Sequence, residues 1–189
     1  MNRAVFIDRD GVLNLPVVRS GLPYPPQTLS EFQLYPEAPE ACTVLRHAGF
    51  LLVLVTNQPD VGRGAQALSV VDAMHQRLQE TITLDRIEIC TAADDNAFDA
   101  HRRKPAPGML LDAAKVLNID LSRSYMIGDR WRDIDAGHAA GCVTIFIARG
   151  YTEKLHQTPH YQTSNLLEAA NLVLSHGRST PSPRMAQHA

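Results

Sequence analysis

Short apolar runs rich in Val, Ile and Phe recur at residues 4–8, 50–56, 86–90, 124–129 and 142–148, separated by longer stretches of helical periodicity. All but the third are nearly continuous in apolar character, the pattern of strands buried on both faces of a parallel sheet. Helices are predicted over 37–48, 69–80, 107–117, 133–140 and 164–174. The first follows Pro36 and stops at Gly49, a residue that tolerates the left-handed end of a helix. The second sets Val71, Met74 and Leu78 at spacings of three and four. The third opens on Pro107, tolerated in a first turn, and carries Leu110, Leu111, Ala114 and Leu117 on one side. The fourth stops at Gly141. This alternation predicts an α/β fold, with a central parallel sheet between helical layers and right-handed crossovers.

Two stretches fit no regular element: a Pro-containing loop at 15–35, directly after the first strand, and a polar loop at 91–106. Loops this long inside a compact domain are often functional. Residues 175–189 are polar and include Pro181 and Pro183. The expected organisation is one domain over 1–175 and a disordered tail over 176–189.

Composition narrows the function classes. The 189 residues include 18 Lys and Arg against 20 Asp and Glu, and this near-balance argues against nucleic acid as a partner. Three widely spaced cysteines, Cys42, Cys90 and Cys142, do not make a disulfide framework and suit a reducing compartment. They read as small buried apolar residues. The N-terminal apolar run is too short for a signal peptide, and no apolar stretch approaches the roughly 18 residues that span a bilayer. The expectation is a cytoplasmic monomer that does not bind membranes.

Candidate chemistry gathers at strand ends, the side on which ligands bind in doubly wound sheets. The first strand ends in Asp8-Arg9-Asp10-Gly11, the second in Thr56-Asn57-Gln58 and the fourth in Gly128-Asp129-Arg130, while Lys104 precedes the third helix. Carboxylates brought together there would repel one another unless a cation joined them, and hard oxygen ligands suit magnesium. A phosphate would find its other partners in Lys104, the Thr56 hydroxyl and backbone N–H groups of Gly-containing turns. Such an assembly suits phosphoryl transfer, where positioning and charge neutralisation dominate. Each residue also has a plainer reading. Asp129 and Asp133 could serve a helix N-terminus, Thr56 could be an ordinary strand residue, and Arg63, His101 and Trp131 read better as surface or packing residues.

Asp8-x-Asp10-Gly11-Val12-Leu13, Thr56-Asn57-Gln58, Lys104-Pro105 and Gly128-Asp129-x-x-x-Asp133 stand in the order of the four motifs of haloacid dehalogenase-type phosphatases. More closely, FIDRDGVLN (6–14), LVTNQPDVGRG (54–64), RRKPAPGMLL (102–111) and YMIGDRWRDIDAG (125–137) resemble the heptose bisphosphate and histidinol-phosphate phosphatases of that superfamily. The resemblance spans residues 4–150 and implies a Rossmann-like fold without a large cap domain. It further implies Asp8 as nucleophile and Asp10 as general acid and base. Magnesium would be held by Asp8, the Asp10 backbone carbonyl and Asp129. Thr56 and Lys104 would grip the phosphoryl group, Asn57, Arg103 and Arg130 would contact substrate, and Asp133 would support Lys104 or a metal-bound water.

One feature departs from the family. Its zinc site, a Cys-x-His-type pair followed by Cys-x-Cys, is reduced here to Cys90, and one thiol cannot build a four-ligand site. No zinc is expected. The implied substrate is a sugar phosphate, with heptose 1,7-bisphosphate foremost. The alternatives are histidinol phosphate, a polynucleotide 3′-phosphate or, in another class, a non-catalytic phosphate-binding module.

Overall fold

The computed structural model describes residues 1–179. Six parallel strands form its central sheet: β1 (Ala4–Ile7), β4 (Leu51–Asn57), β5 (Arg86–Cys90), β6 (Tyr125–Gly128), β7 (Val143–Ile147) and β8 (Tyr161–Thr163). Their order is β5-β4-β1-β6-β7-β8, so β1 sits between β4 and β6 with Ile7 paired to both Leu54 and Ile127. The strand order reverses at this point. The chain leaves β1 towards β4 on one side, and β6 returns on the other, opening a crevice at the carboxyl ends of β1 and β6.

Side-chain alternation divides the interior into two cores. Val5, Ile7, Leu52 and Leu54 face α1 (Ala38–His47), α3 (Leu68–Gln79) and α6 (Leu166–Ser179), meeting Leu45, Met74, Leu78 and Val173. Ala4, Phe6, Val53 and Val55 face α4 (Gly108–Leu117) and α5 (Trp131–Ala140), meeting Met109, Leu110, Ala113 and Ala136. Each fully buried Leu, Ile or Phe contributes about 1.5–3 kcal/mol by leaving water. The strands that carry the site are therefore clamped on both faces.

Several elements lie where no regular structure is expected. The 15–35 loop folds part of its length into an antiparallel hairpin, β2 (Val17–Arg19) and β3 (Leu22–Tyr24). Ser20 and Gly21 make its turn with φ of 51° and 75°, the twist that two-residue hairpins favour. A short helix, α2 (Pro59–Gly62), follows β4, and β8 extends the sheet beyond the fifth anticipated strand. The last helix begins at Leu166 but runs to Ser179, past the expected tail boundary at 176. Residues 180–189, the rest of the anticipated tail, lie outside the described residues. Among the described residues no helix is long and apolar enough to cross a membrane.

Candidate active site

Asp8 follows the buried β1 directly, and its backbone N–H donates to the Ile127 carbonyl at 3.0 Å. Backbone pairing to a central strand thus fixes where its carboxylate starts. Asp129 leaves the end of β6, and the N–H of the next residue, Arg130, donates to Asp133 Oδ2 at 3.0 Å as α5 begins. That contact makes Asp133 half of a capping box and turns its other oxygen inward. Asp8, Asp129 and Asp133 are all buried, each with a carboxylate oxygen within 4.8 Å of the others.

Lys104 reaches this cluster from the loop before α4. Its Nζ lies 2.7 Å from Asp8 Oδ1 and 2.6 Å from Asp133 Oδ1, and donates to the Val55 carbonyl at 2.8 Å. Burial disfavours the ammonium, but Asp133 and Asp8 outweigh it and raise the proton affinity of Lys104. One lysine does not balance three carboxylates. Burial pushes Asp8 up to about 7, with Asp133 and Asp10 adding to the effect against Lys104. Asp129 is raised well above the usual carboxylate range, by burial first and then by Asp8 and Asp133.

Neither Asp129 oxygen meets a donor in good hydrogen-bond geometry, although the Tyr151 hydroxyl is near enough to favour its ionised form. Two orphaned buried oxygens beside two further carboxylates fit a hard divalent cation, whose charge would remove the deficit. The approach also explains Gly11. A Cβ there would stand 1.8 Å from Asp129 Oδ2, and the backbone adopts φ 93°.

Asp10 faces a different environment. Its carboxylate accepts from Arg9 Nε at 3.2 Å and Nη2 at 3.0 Å, from Asn14 Nδ2 at 3.0 Å and from Gln58 Nε2 at 2.9 Å. Its side chain is turned to these donors and lies outside the three-carboxylate group, while the residue still lines the cleft. Arg9 is wholly buried, and its Nη1 lies 3.2 Å from His75 Nε2. Burial, and then Arg9, pull His75 down to about 4, so its Nε2 is the acceptor of that contact at neutral pH.

The remaining anticipated residues are less alike. Thr56 is buried, its hydroxyl oxygen accepts from Gln58 Nε2 at 2.9 Å, and it does not line the cleft. The Asn57 amide binds the Lys104 backbone at both ends, donating to its carbonyl at 2.9 Å and accepting from its N–H at 3.0 Å. Arg103 and Arg130 both line the cleft, a space of about 350 Å³ also walled by Arg63, Arg132 and the hairpin residues Pro23 and Tyr24. Arg103 donates to the Ala92 carbonyl at 2.8 Å, and Arg130 pairs with Glu153.

Arg9, Asn14, His75 and Glu153 were not anticipated. Arg9 carries one weak signal, a charge at the end of a wholly buried strand. His75 carries another, a polar residue among Val71, Met74 and Leu78 on the buried side of α3.

An aspartate at a strand end, paired with a buried lysine inside a carboxylate cluster that suits a cation, fits a phosphatase of the haloacid dehalogenase class. The HAD-hydrolase-like family model matches residues 101–169. The D-glycero-D-manno-heptose-1,7-bisphosphate 7-phosphatase of Thermosynechococcus vestitus is 34% identical over 194 residues, covering 92% of this chain and 96% of that protein. The D-glycero-beta-D-manno-heptose-1,7-bisphosphate 7-phosphatase of Yersinia pestis is 38% identical over 77% of this chain and 80% of its own length. Among solved structures, the D,D-heptose 1,7-bisphosphate phosphatase of B. bronchiseptica with magnesium and phosphate superposes with a TM-score of 0.77. It is 26% identical, covering 92% of this chain and 99% of that one. The chain belongs to the heptose-1,7-bisphosphate 7-phosphatase family of HAD-type hydrolases.

Proposed function

We propose that this enzyme removes the 7-phosphate of D-glycero-D-manno-heptose 1,7-bisphosphate with magnesium, by way of an aspartyl-phosphate on Asp8. The observation that carries the reaction is the Asp8–Lys104 pair at 2.7 Å inside a cluster of three buried carboxylates. The substrate is drawn from the names of relatives that cover nearly the whole chain.

Asp8, Asp129 and the Asp10 carbonyl would hold magnesium, which supplies charge neutralisation for Asp8 and for the phosphoryl oxygens. An Asp8 oxygen attacks phosphorus and the sugar alkoxide departs, taking a proton from Asp10. Asp10 then accepts a proton from the water that attacks the aspartyl-phosphate, releasing phosphate and freeing Asp8. Four hydrogen bonds to Asp10 keep its carboxylate in place between the two steps. Lys104 opposes charge on the transferring group, and Asp133 orients Lys104 from 2.6 Å. Thr56 lies behind Gln58, while Asn57 fixes the Lys104 backbone, so both support the phosphoryl site from below. Arg103 and Arg130 flank the route that the rest of the sugar would occupy.

The same reading has the enzyme acting as a cytoplasmic monomer without zinc or nucleic acid. Three free, buried cysteines suit a reducing compartment. Just before the 91–106 stretch, Cys90 Sγ donates to the carbonyl of Asp99 within it at 3.7 Å. Arg102 anchors that stretch through Glu88 and, at 3.0 Å, Asp112. These contacts support a loop held by ion pairs.

Asp8→Asn tests the nucleophile. With folding verified by thermal melting, phosphate release should fall on the order of 10⁴-fold or more. Turnover within tenfold of wild type would exclude a covalent role for Asp8.

A further inference from the structure

The start of α5 places Arg130 and Arg132 on one wall of the cleft. Two guanidinium groups this close repel each other; burial and then Arg130 lower the proton affinity of Arg132. Glu153 forms an ion pair with both, and it outweighs the more distant Asp133 at each. Glu153 accepts from Arg130 Nε, and from its Nη2 at 2.5 Å, and lies 3.6 Å from Arg132 Nη1. The bidentate contact fixes the plane of Arg130, whose Nη1 then reaches the Pro23 carbonyl at 3.3 Å. Beside Glu153, the Thr152 N–H donates to the Gly21 carbonyl at 3.1 Å. One short segment thus ties the β2–β3 hairpin to the start of α5.

All three Arg130 nitrogens are held, each Nη keeping one N–H, whereas Arg132 is freer. Its contact to Glu153 is long, and its guanidinium rests 4.7 Å over the Trp131 ring, leaving donors for an anion. Without Glu153, Arg130 would be drawn to Asp129 and Asp133, the other anions acting on it, and the hairpin would lose an anchor.

We propose that Glu153 is a positioning residue for the second phosphate of a sugar bisphosphate, holding Arg130 against the hairpin so that it and Arg132 present a net positive wall. This rests on the bisphosphate reading above. A phosphate at the far end of the sugar would meet charge-assisted donors there, while a monophosphate would leave the wall unused.

The test compares kcat/KM for D-glycero-D-manno-heptose 1,7-bisphosphate with kcat/KM for p-nitrophenyl phosphate in the magnesium-loaded enzyme. Glu153→Gln should lower the ratio of the two about tenfold, the scale of one charge-assisted hydrogen bond. The loss should appear in KM for the bisphosphate, and Glu153→Asp should restore part of it. Arg132→Gln should lower the same ratio, and the double variant should fall by less than the product of the singles. A preference that survives Glu153→Gln, or a fall shared equally by both substrates, would overturn the proposal alone. A wild-type enzyme with no preference for the bisphosphate over heptose 7-phosphate would overturn both the proposal and the substrate reading.

Discussion

The two ends of the cleft are built on different principles. At its floor, Asp8, Lys104 and Asp133, with Asp129 just beneath them, are almost wholly buried, and each hangs from a strand end, a helix start or a backbone contact in the centre of the fold. At its rim, Arg63, Arg103, Arg130 and Arg132 are part-exposed and paired with acids from elsewhere in the chain or a turn away. Charge at the floor is unbalanced in favour of carboxylates, and charge at the rim favours arginine. The floor is therefore suited to a cation and a phosphoryl group, whatever the rest of the substrate. On the proposed reading, the rim would decide which molecule is held over it.

That contrast is broken most severely by removing Lys104. Lys104→Met leaves Asp8 and Asp133 buried without their cation, which should cost about 3–5 kcal/mol of stability in the metal-free protein and abolish turnover. Denaturant titration with and without magnesium checks it, and magnesium should recover part of the loss. An unchanged midpoint would mean that the floor carries no such charge tension.

Next in size is the effect of the cation itself. In the metal-free protein Asp8 has a folded-state pKa raised from 3.8 to about 7, so it takes up a proton on folding between those values. Its contribution to stability is present below about 4 and is lost as pH rises through about 7. Magnesium needs the ionised form, so its apparent affinity should strengthen as pH climbs through the same window, with proton release on binding. At a hundred times its dissociation constant, magnesium should stabilise the protein by ~2.7 kcal/mol. Calorimetry at pH 5.5 and 7.5 measures both effects, and Asp129→Asn should largely erase them. Affinity that is flat with pH would remove the carboxylates from the binding event.

The smallest effect belongs to the rim. Arg103→Gln should raise KM for a sugar bisphosphate about tenfold and change kcat by much less, because the contact is made before and during the reaction alike. A fall in kcat as large as the rise in KM would move Arg103 from the rim to the floor.

The same division governs what could be read from the sequence. The floor is legible because continuous apolar runs mark buried parallel strands, and acids placed just after such runs have to lie at the sheet's carboxyl edge. Asp8 and Asp129 follow from that pattern, and so do four of the five principal strands, the alternating Arg86–Cys90 being the exception. β8 was missed because Tyr161–Thr163 is short, polar and at the sheet edge. The β2–β3 hairpin was missed because three-residue strands containing Pro23 have no usable alternation. Glu153 pairs with Arg130 across 23 positions, and Arg9 meets His75 across 66. No local pattern announces contacts of that kind; they exist only once the helices have packed. Asn57 shows a further limit, since its place in a motif points to substrate, and only the structure reveals that its amide also holds the Lys104 backbone while the residue lines the cleft.

Phosphorus NMR of D-glycero-D-manno-heptose 1,7-bisphosphate during turnover with magnesium tests the central claim most directly. The 7-phosphate resonance should disappear as inorganic phosphate grows, with the 1-phosphate left intact and Asp8→Asn showing no change. Loss of the 1-phosphate first, or no turnover of this sugar by an enzyme that readily hydrolyses another phosphomonoester, would contradict the account.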